Sequence, residues 1–212
     1  MKIKTVKTIW SNDDLKQNTH IIELEEGCLV VDAGCPLEEI KKATEKPIIA
    51  VLITHGHFDH IDYIEDYDKL GVPICASKHI TKFLENSTLN LSCWKQPKKY
   101  KLNNLFPLED EDYLDLEEVK IKCMLTPGHS LDSMSYLIDD KYLFSGDTLF
   151  SVAIGRLDLP TGDRLDMINS LNKINKLPFE TMFTGHGRES TKQEQNENIA
   201  KWVEDLKLNI EV

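Results

Sequence analysis

Positive charge is scarce in this chain: 25 lysines and arginines stand against 36 aspartates and glutamates, a formal net charge of −11. Such a surface repels phosphate backbones, which argues against nucleic acid as a partner. The one basic cluster, Lys95, Lys98, Lys99 and Lys101, reads as a solvated loop. Cysteine offers no framework either. The five residues Cys28, Cys35, Cys75, Cys93 and Cys123 are odd in number and widely spaced, with no Cys-x-x-Cys pair. Neither a disulfide set nor a zinc–thiolate site is expected from that pattern. No run approaches the roughly 20 apolar residues that span a bilayer. Residues 1–10 alternate lysines with apolar side chains, as a strand does, and lack the apolar core of a signal segment. A reducing cytoplasm and no membrane partner are the expectation. There is also no Gly-x-Ser-x-Gly turn to present a serine nucleophile. Low-complexity segments and glycine–serine linkers are absent too, and with no heptad pattern the sequence leaves the oligomeric state open.

What is present suits one globular domain over residues 1–212, with an apolar fraction of 41% and enough length for a full core. Short runs rich in Val and Ile, bounded by Gly, Pro, Asn or Asp, predict strands at 28–31, 48–53, 119–125, 134–138, 142–144 and 181–183. Helical spacing appears at 37–44, 61–70, 79–85, 164–174 and 191–206, the last within a C-terminal helix expected at about 190–208. Asp163 is placed to cap the fourth of these, and Ser190 or Thr191 the last. Strands interleaved with helices predict an α/β domain.

Five times a strand-like run ends in a metal-capable residue beside glycine: Asp32 before Ala-Gly34, His55 before Gly56, His129 after Gly128, Asp147 after Gly146 and His186 after Gly185. If these strand ends share one edge, their side chains converge there, outside the carboxyl ends where open α/β sheets bind ligands. The densest signal is His55-Gly-His57-Phe-Asp59-His60, read as a loop that wraps imidazole and carboxylate ligands around a metal. A single histidine is ordinarily a surface or hydrogen-bonded core residue. Here five of seven histidines fall in three such segments, which chance scatter does not readily produce. His20, opening a strand, and His79, beginning a helix, keep the ordinary reading. Phe58 is expected to pack beside the metals.

These motifs resemble the metallo-β-lactamase superfamily: Val-Asp32-Ala-Gly, the His-x-His-x-Asp-His run at 55–60, Thr-Pro-Gly-His129-Ser, Ser-Gly-Asp147-Thr-Leu-Phe and Thr-Gly-His186-Gly. The resemblance implies an αββα four-layer sandwich, with two divalent cations, zinc first and iron or manganese as alternatives. It implies that His55, His57 and His129 hold one cation, Asp59, His60 and His186 the other, and that Asp147 bridges them, the two lying about 3.5–4 Å apart. Asp32 would stand behind the ligands, orienting a histidine through a hydrogen bond. Two cations lower the pKa of a shared water, so attack by a metal-bound hydroxide, held by Asp59, becomes available near neutral pH.

Within the superfamily, Phe144-Ser-Gly-Asp-Thr-Leu-Phe150 and Gly155-Arg-Leu-Asp-Leu-Pro-Thr-Gly-Asp163 are similar to short bacterial proteins of the glyoxalase II branch. That branch implies hydrolysis of small acyl thioesters such as S-lactoylglutathione. Arg156 is a candidate clamp for a substrate carboxylate, the alternative being an ion pair with Asp158 or Asp163. Two departures stand out. Full-length glyoxalase II has a C-terminal helical domain with basic glutathione contacts, whereas residues 187–212 supply one helix. The small residues that usually follow the histidine run are replaced by Asp62 and Tyr63. The irregular stretch 85–113, with Trp94, Tyr100 and Phe106, is either a lid or a surface connection. Competing functions are a sulfur dioxygenase using one iron on His55, His129 and Asp147, a lactonase or general esterase, and a non-catalytic metal-binding protein. A nuclease fits such an acidic, short chain poorly.

Overall fold

Segments such as Cys28–Val31 and Ile48–Leu52 are apolar at nearly every position, the pattern of strands covered on both faces. The computed structural model of the chain, which describes residues 3–116 and 119–208, shows what covers them. The first half runs β1 (Thr5–Trp10), β2 (Asn18–Glu23), β3 (Cys28–Val31), α1 (Leu37–Ala43), β4 (Ile48–Leu52), α2 (Phe58–Ile61), α3 (Ile64–Asp68), β5 (Ile74–Ser77), α4 (Ile80–Leu84), a 3-10 turn (Ser92–Trp94) and β6 (Leu105–Leu108). The second half runs β7 (Tyr113–Leu116), β8 (Val119–Leu125), β9 (Met134–Ile138), β10 (Tyr142–Phe144), α5 (Arg164–Asn175), β11 (Thr181–Phe183), β12 (Ser190–Thr191) and α6 (Lys192–Leu208).

Each half builds one six-stranded sheet with its strands in chain order, β1 to β6 in one and β7 to β12 in the other. Both sheets are mixed. β1, β2 and β3 pair antiparallel and β3 to β6 parallel. In the second sheet only β10 and β11 are parallel. Because side chains alternate along a strand, neighbouring residues part company. Ile22, Leu29, Val31 and Leu52 face Ile121, Cys123, Tyr136 and Phe144 of the other sheet. Ile21, Val30 and Val51 instead cover α1, α3 and α4 through Ile40, Ile64, Tyr67, Ile80 and Leu84. Met124, Leu137, Leu143 and Met182 pack on α5 and α6 through Leu171, Ile174, Ile199 and Val203. The result is the expected αββα sandwich.

The helices on the first sheet span four to seven residues. That is well short of the roughly 12–15 that sustain a helix alone in water, so burial holds them. The single helix predicted over 61–70 is instead α2 and α3. The backbone between them is engaged elsewhere: Ala33 N–H donates to His60 O and Tyr63 N–H donates to Ala33 O, at 2.7 and 3.1 Å. The loop predicted over 55–60 likewise turns helical from Phe58. The stretch 85–113 contains β6, an edge strand that tolerates Pro107 because its outer N–H positions need no partner. Among the described residues no helix is long and apolar enough to cross a membrane.

Candidate metal centre

β3, β4, β8, β10 and β11 all run toward one edge of the sandwich, and the five glycine-flanked residues emerge there. Asp32 leaves β3 with φ 65°, a left-handed conformation that aspartate tolerates better than most residues. Gly185 is required by contact: a Cβ there would lie 2.0 Å from Asp147 Oδ1. Gly146, at φ 52°, sits against the Thr54 side chain, which a Cβ would approach to 2.6 Å. The bare backbones let the two sheets close over the histidines.

Hydrogen bonds fix how most of the rings are presented. His60 Nδ1 lies 2.7 Å from Asp32 Oδ2, His129 Nδ1 2.9 Å from Arg156 O and His186 Nδ1 2.9 Å from Leu15 O. These oxygens only accept, so each Nδ1 carries a proton and each Nε2 is turned toward the cluster. His55 follows suit: its Nδ1 donates to Thr54 Oγ1 at 3.1 Å, and that hydroxyl donates onward to Asp32 Oδ2 at 2.9 Å. His57 is reversed and offers Nδ1. The three nitrogens His55 Nε2, His57 Nδ1 and His129 Nε2 therefore face one another, with both neighbours 3.0 Å from His57 Nδ1. Nitrogens gathered that closely can share a proton or a cation.

A second cluster joins His60 Nε2 and His186 Nε2 to Asp59 Oδ2 at 3.6 and 3.2 Å. Asp147 lies between the clusters, 3.3 Å from His60, 3.5 Å from His186 and 3.8 Å from His129. Within each of the triads His55, His57, His129 and Asp59, His60, His186 the donor atoms fall within 4.8 Å of one another. His60 Nε2 and Asp147 Oδ1 are buried with no hydrogen-bond partner among the described residues, an expensive arrangement unless a cation satisfies both.

The electrostatics divide the same way. Burial pushes His55 well below its ordinary pKa and His57 down to about 3, leaving neutral imidazoles. At the second cluster burial also opposes charge, but Asp147 and Asp59 outweigh it and raise His60 well above the ordinary value and His186 to about 10. Asp147 is held well below the usual carboxylate range: its burial is overcome by His60 and His186. That cluster calls for positive charge at its centre, which a divalent cation supplies without protonating the rings. The donor set, nitrogen and carboxylate oxygen only, fits zinc, iron or manganese.

Several supporting residues escape sequence reasoning. Thr54 links His55 to Asp32, and Asp32 also accepts the Thr54 N–H at 2.7 Å. Asp132 is buried and receives Gly56 N–H at 2.7 Å and Ser130 Oγ–H at 2.8 Å, tying the His55–His57 turn to the segment after β8. Gln17 is buried beside His60. Only the proximity of Thr54 and Asp132 to the histidine motifs marks them in sequence. The remaining candidates resolve individually. His20 is a core residue, accepting from Thr8 Oγ1 and donating to Thr184 O, each at 3.0 Å. His79 precedes α4 and belongs to no metal-capable group. Arg156 is exposed and bidentate to Asp158, at 2.9 and 2.7 Å, so its guanidinium is in the ion pair while its carbonyl orients His129. Lys98 donates to Asp62 O and covers Tyr100, and Lys95 lies over Phe58. Burial pushes the thiols of Cys28 and Cys75 up to about 11 and Cys123 to about 12, so these are inert core groups.

A groove of about 370 Å³ opens above the clusters, with His57, Asp59, His129, Asp147 and His186 in its floor. Leu91 and Trp94, from the stretch 85–113, form part of its wall. That part of the stretch is firmly tied: Phe58 N–H donates to Asn90 O, and buried Asn90 and Ser92 hold the segment to Phe83 and Lys98.

The family model described as Metallo-beta-lactamase superfamily matches residues 12–186. A probable metallo-hydrolase, YqgX of Bacillus subtilis (strain 168), is 31% identical over 193 residues, covering 86% of this chain and 92% of that protein. The hydroxyacylglutathione hydrolase of Buchnera aphidicola subsp. Schizaphis graminum (strain Sg) is 32% identical over 158 residues, 73% of this chain but 55% of that protein. Among solved structures, the BLEG-1 B3 metallo-beta-lactamase superposes with a TM-score of 0.85 at 28% identity, covering 93% of this chain and 99% of that one. TTHA1623 in a di-iron-bound form gives 0.78 at 26% identity, covering 91% and 98%.

Proposed function

Since the chain belongs to the metallo-β-lactamase superfamily of metal-dependent hydrolases, we propose that its paired triads hold two divalent cations and that it hydrolyses small acyl thioesters such as S-lactoylglutathione. The carrying observation is that both triads are complete around Asp147. His55, His57 and His129 would hold one cation and Asp59, His60 and His186 the other, with Asp147 set between the two groups. Zinc is the first choice, with iron or manganese the alternatives. Together the cations would supply a water activated near neutral pH and a Lewis acid for the substrate carbonyl.

The chain's own residues do the rest. Asp32, Thr54, Arg156 and Leu15 fix the rings of His60, His55, His129 and His186 through Nδ1, so that these four need not reorient on binding. Asp59 Oδ2, at the edge of the groove floor, is placed to accept a proton from the attacking water. The new C–O bond comes from that water and the C–S bond breaks. A carboxylate and a thiol leave. The thioester reading is supported by the hydroxyacylglutathione hydrolase relative and by the Ser-Gly-Asp-Thr-Leu-Phe segment around Asp147. A single-iron dioxygenase on His55, His129 and Asp147 would leave Asp59, His60 and His186 without a task, although all three are gathered and oriented.

The test is turnover of S-lactoylglutathione by zinc-loaded protein, followed by loss of thioester absorbance, with metal content measured on the same sample. Turnover that disappears with a chelator and returns with zinc is expected. No turnover with two metals bound rules out glutathione thioesters. Oxygen uptake with glutathione persulfide and iron would then favour the dioxygenase.

A further inference from the structure

Apart from Arg156, the groove is polar only at its floor. Above the metal ligands its walls are Leu15, Leu91, Trp94, Phe150, Ile154 and Leu159. Arg156, the one cation lining it, is bound to Asp158 in a bidentate pair. The other cations nearby stand outside its lining, Lys95 and Lys98 beyond Phe58 and Lys16 and Arg188 in a pocket that shares Leu15 and His186 with it. A glutathione moiety brings two carboxylates and finds within the groove's own lining one cation, Arg156, already paired at the surface with Asp158. An alkyl or aromatic group finds apolar side chains on several sides.

The wall is also built at a cost. Leu91 adopts φ 63°, a left-handed conformation that costs a branched, non-glycine residue on the order of 1 kcal/mol or more. The hydrogen bonds of Asn90 and Ser92 hold it there, with Ser92 N–H donating to Asn90 Oδ1 at 2.9 Å. The strained turn buries Leu91 and sets Trp94 at the mouth, 61% exposed. A tryptophan left in water beside a groove floored by metal-capable side chains is an apolar surface awaiting a ligand.

We infer that the groove selects thioesters by an apolar acyl group, a medium-length alkyl or aromatic chain lying along Leu91, Trp94, Phe150 and Ile154, with little contribution from the thiol half. This rests on the hydrolase reading of the metal centre. The acyl carbonyl sits over the triads and its chain runs outward along the wall, displacing water from Trp94.

Two measurements test it. In the first, zinc-loaded protein is given S-acyl-N-acetylcysteamines from acetyl to octanoyl. We expect kcat/KM to rise roughly threefold per methylene, the selectivity that burying one methylene supplies, and the octanoyl thioester to surpass S-lactoylglutathione. A flat series with S-lactoylglutathione preferred overturns the inference and leaves the hydrolase standing. In the second, binding of alkyl carboxylates from butyrate to decanoate is followed by calorimetry, without turnover. Affinity is expected to tighten with length in the parent protein and to lose most of that dependence in Trp94→Ala, whose exposed position makes misfolding no concern. Length-independent binding in the parent protein overturns the inference. Length-dependent binding with no thioester hydrolysed upholds the apolar groove and removes the thioester reading instead.

Discussion

At the scale of single residues, charge and burial pull against each other, and the outcome is measurable. Asp147 touches both triads, so Asp147→Ala is expected to reduce bound metal and to abolish turnover. Full activity in that variant would refute the bridging assignment. His79→Ala serves as the contrast, with metal content and turnover both close to parent, because His79 stands outside every cluster. His20 gives a pH dependence. Burial, partly offset by its bond to Thr184, lowers its pKa from 6.5 to about 4. The unfolded chain therefore takes up a proton that the folded chain refuses. The stability contribution is complete above about pH 6.5 and is lost as pH falls toward 4, by at most about 3 kcal/mol. In metal-free protein, His20→Asn should show a shallower fall in urea midpoint between pH 7.5 and 5 than the parent. An unchanged slope would assign the acid sensitivity elsewhere. The metal-capable cluster was legible in the sequence because histidine is scarce and five of seven fall in glycine-flanked segments. Thr54, Asp132 and the carbonyls of Leu15 and Arg156 were not, since a threonine, an aspartate or a backbone oxygen acquires its role only from what folds against it.

At the scale of elements, runs of Val, Ile and aromatic residues were readable even at three residues, whereas β5, β6 and β7 were not. β8, β9, β10 and β11 lie where their Val, Ile and aromatic runs place them. β6 and β7 escaped because edge strands carry proline or alternating acids and depend on a neighbour for their shape. The division of the predicted 61–70 helix has the same origin: its backbone pairs with the end of β3, a long-range claim that periodicity does not register. Local chemistry is more transparent. Asp163 caps α5 as its position suggests, accepting Asp166 N–H at 2.8 Å. Asp163→Ala should destabilise the protein by about 1 kcal/mol in urea, with metal binding preserved. A loss above about 3 kcal/mol would mean that the residue does more than cap.

At the scale of the whole molecule, the two sheets meet through an apolar interior, and at one edge through the ligand clusters. Cations bound there would stabilise only the folded chain, so chelation is expected to lower the melting temperature and zinc to restore it in a concentration-dependent way. A melting temperature indifferent to both would argue that the clusters do not bind metal tightly. The order of strands carries this further. All of the first sheet precedes residue 109 and all of the second follows residue 112, yet the donor atoms of His55 and His57 group with that of His129, and those of Asp59 and His60 with that of His186. Neither half of the chain owns a complete triad. Protein nicked by an engineered protease site at 109–112 should therefore remain one particle while zinc is bound and come apart more readily once it is stripped, making the metal a removable rivet between two otherwise separable pieces.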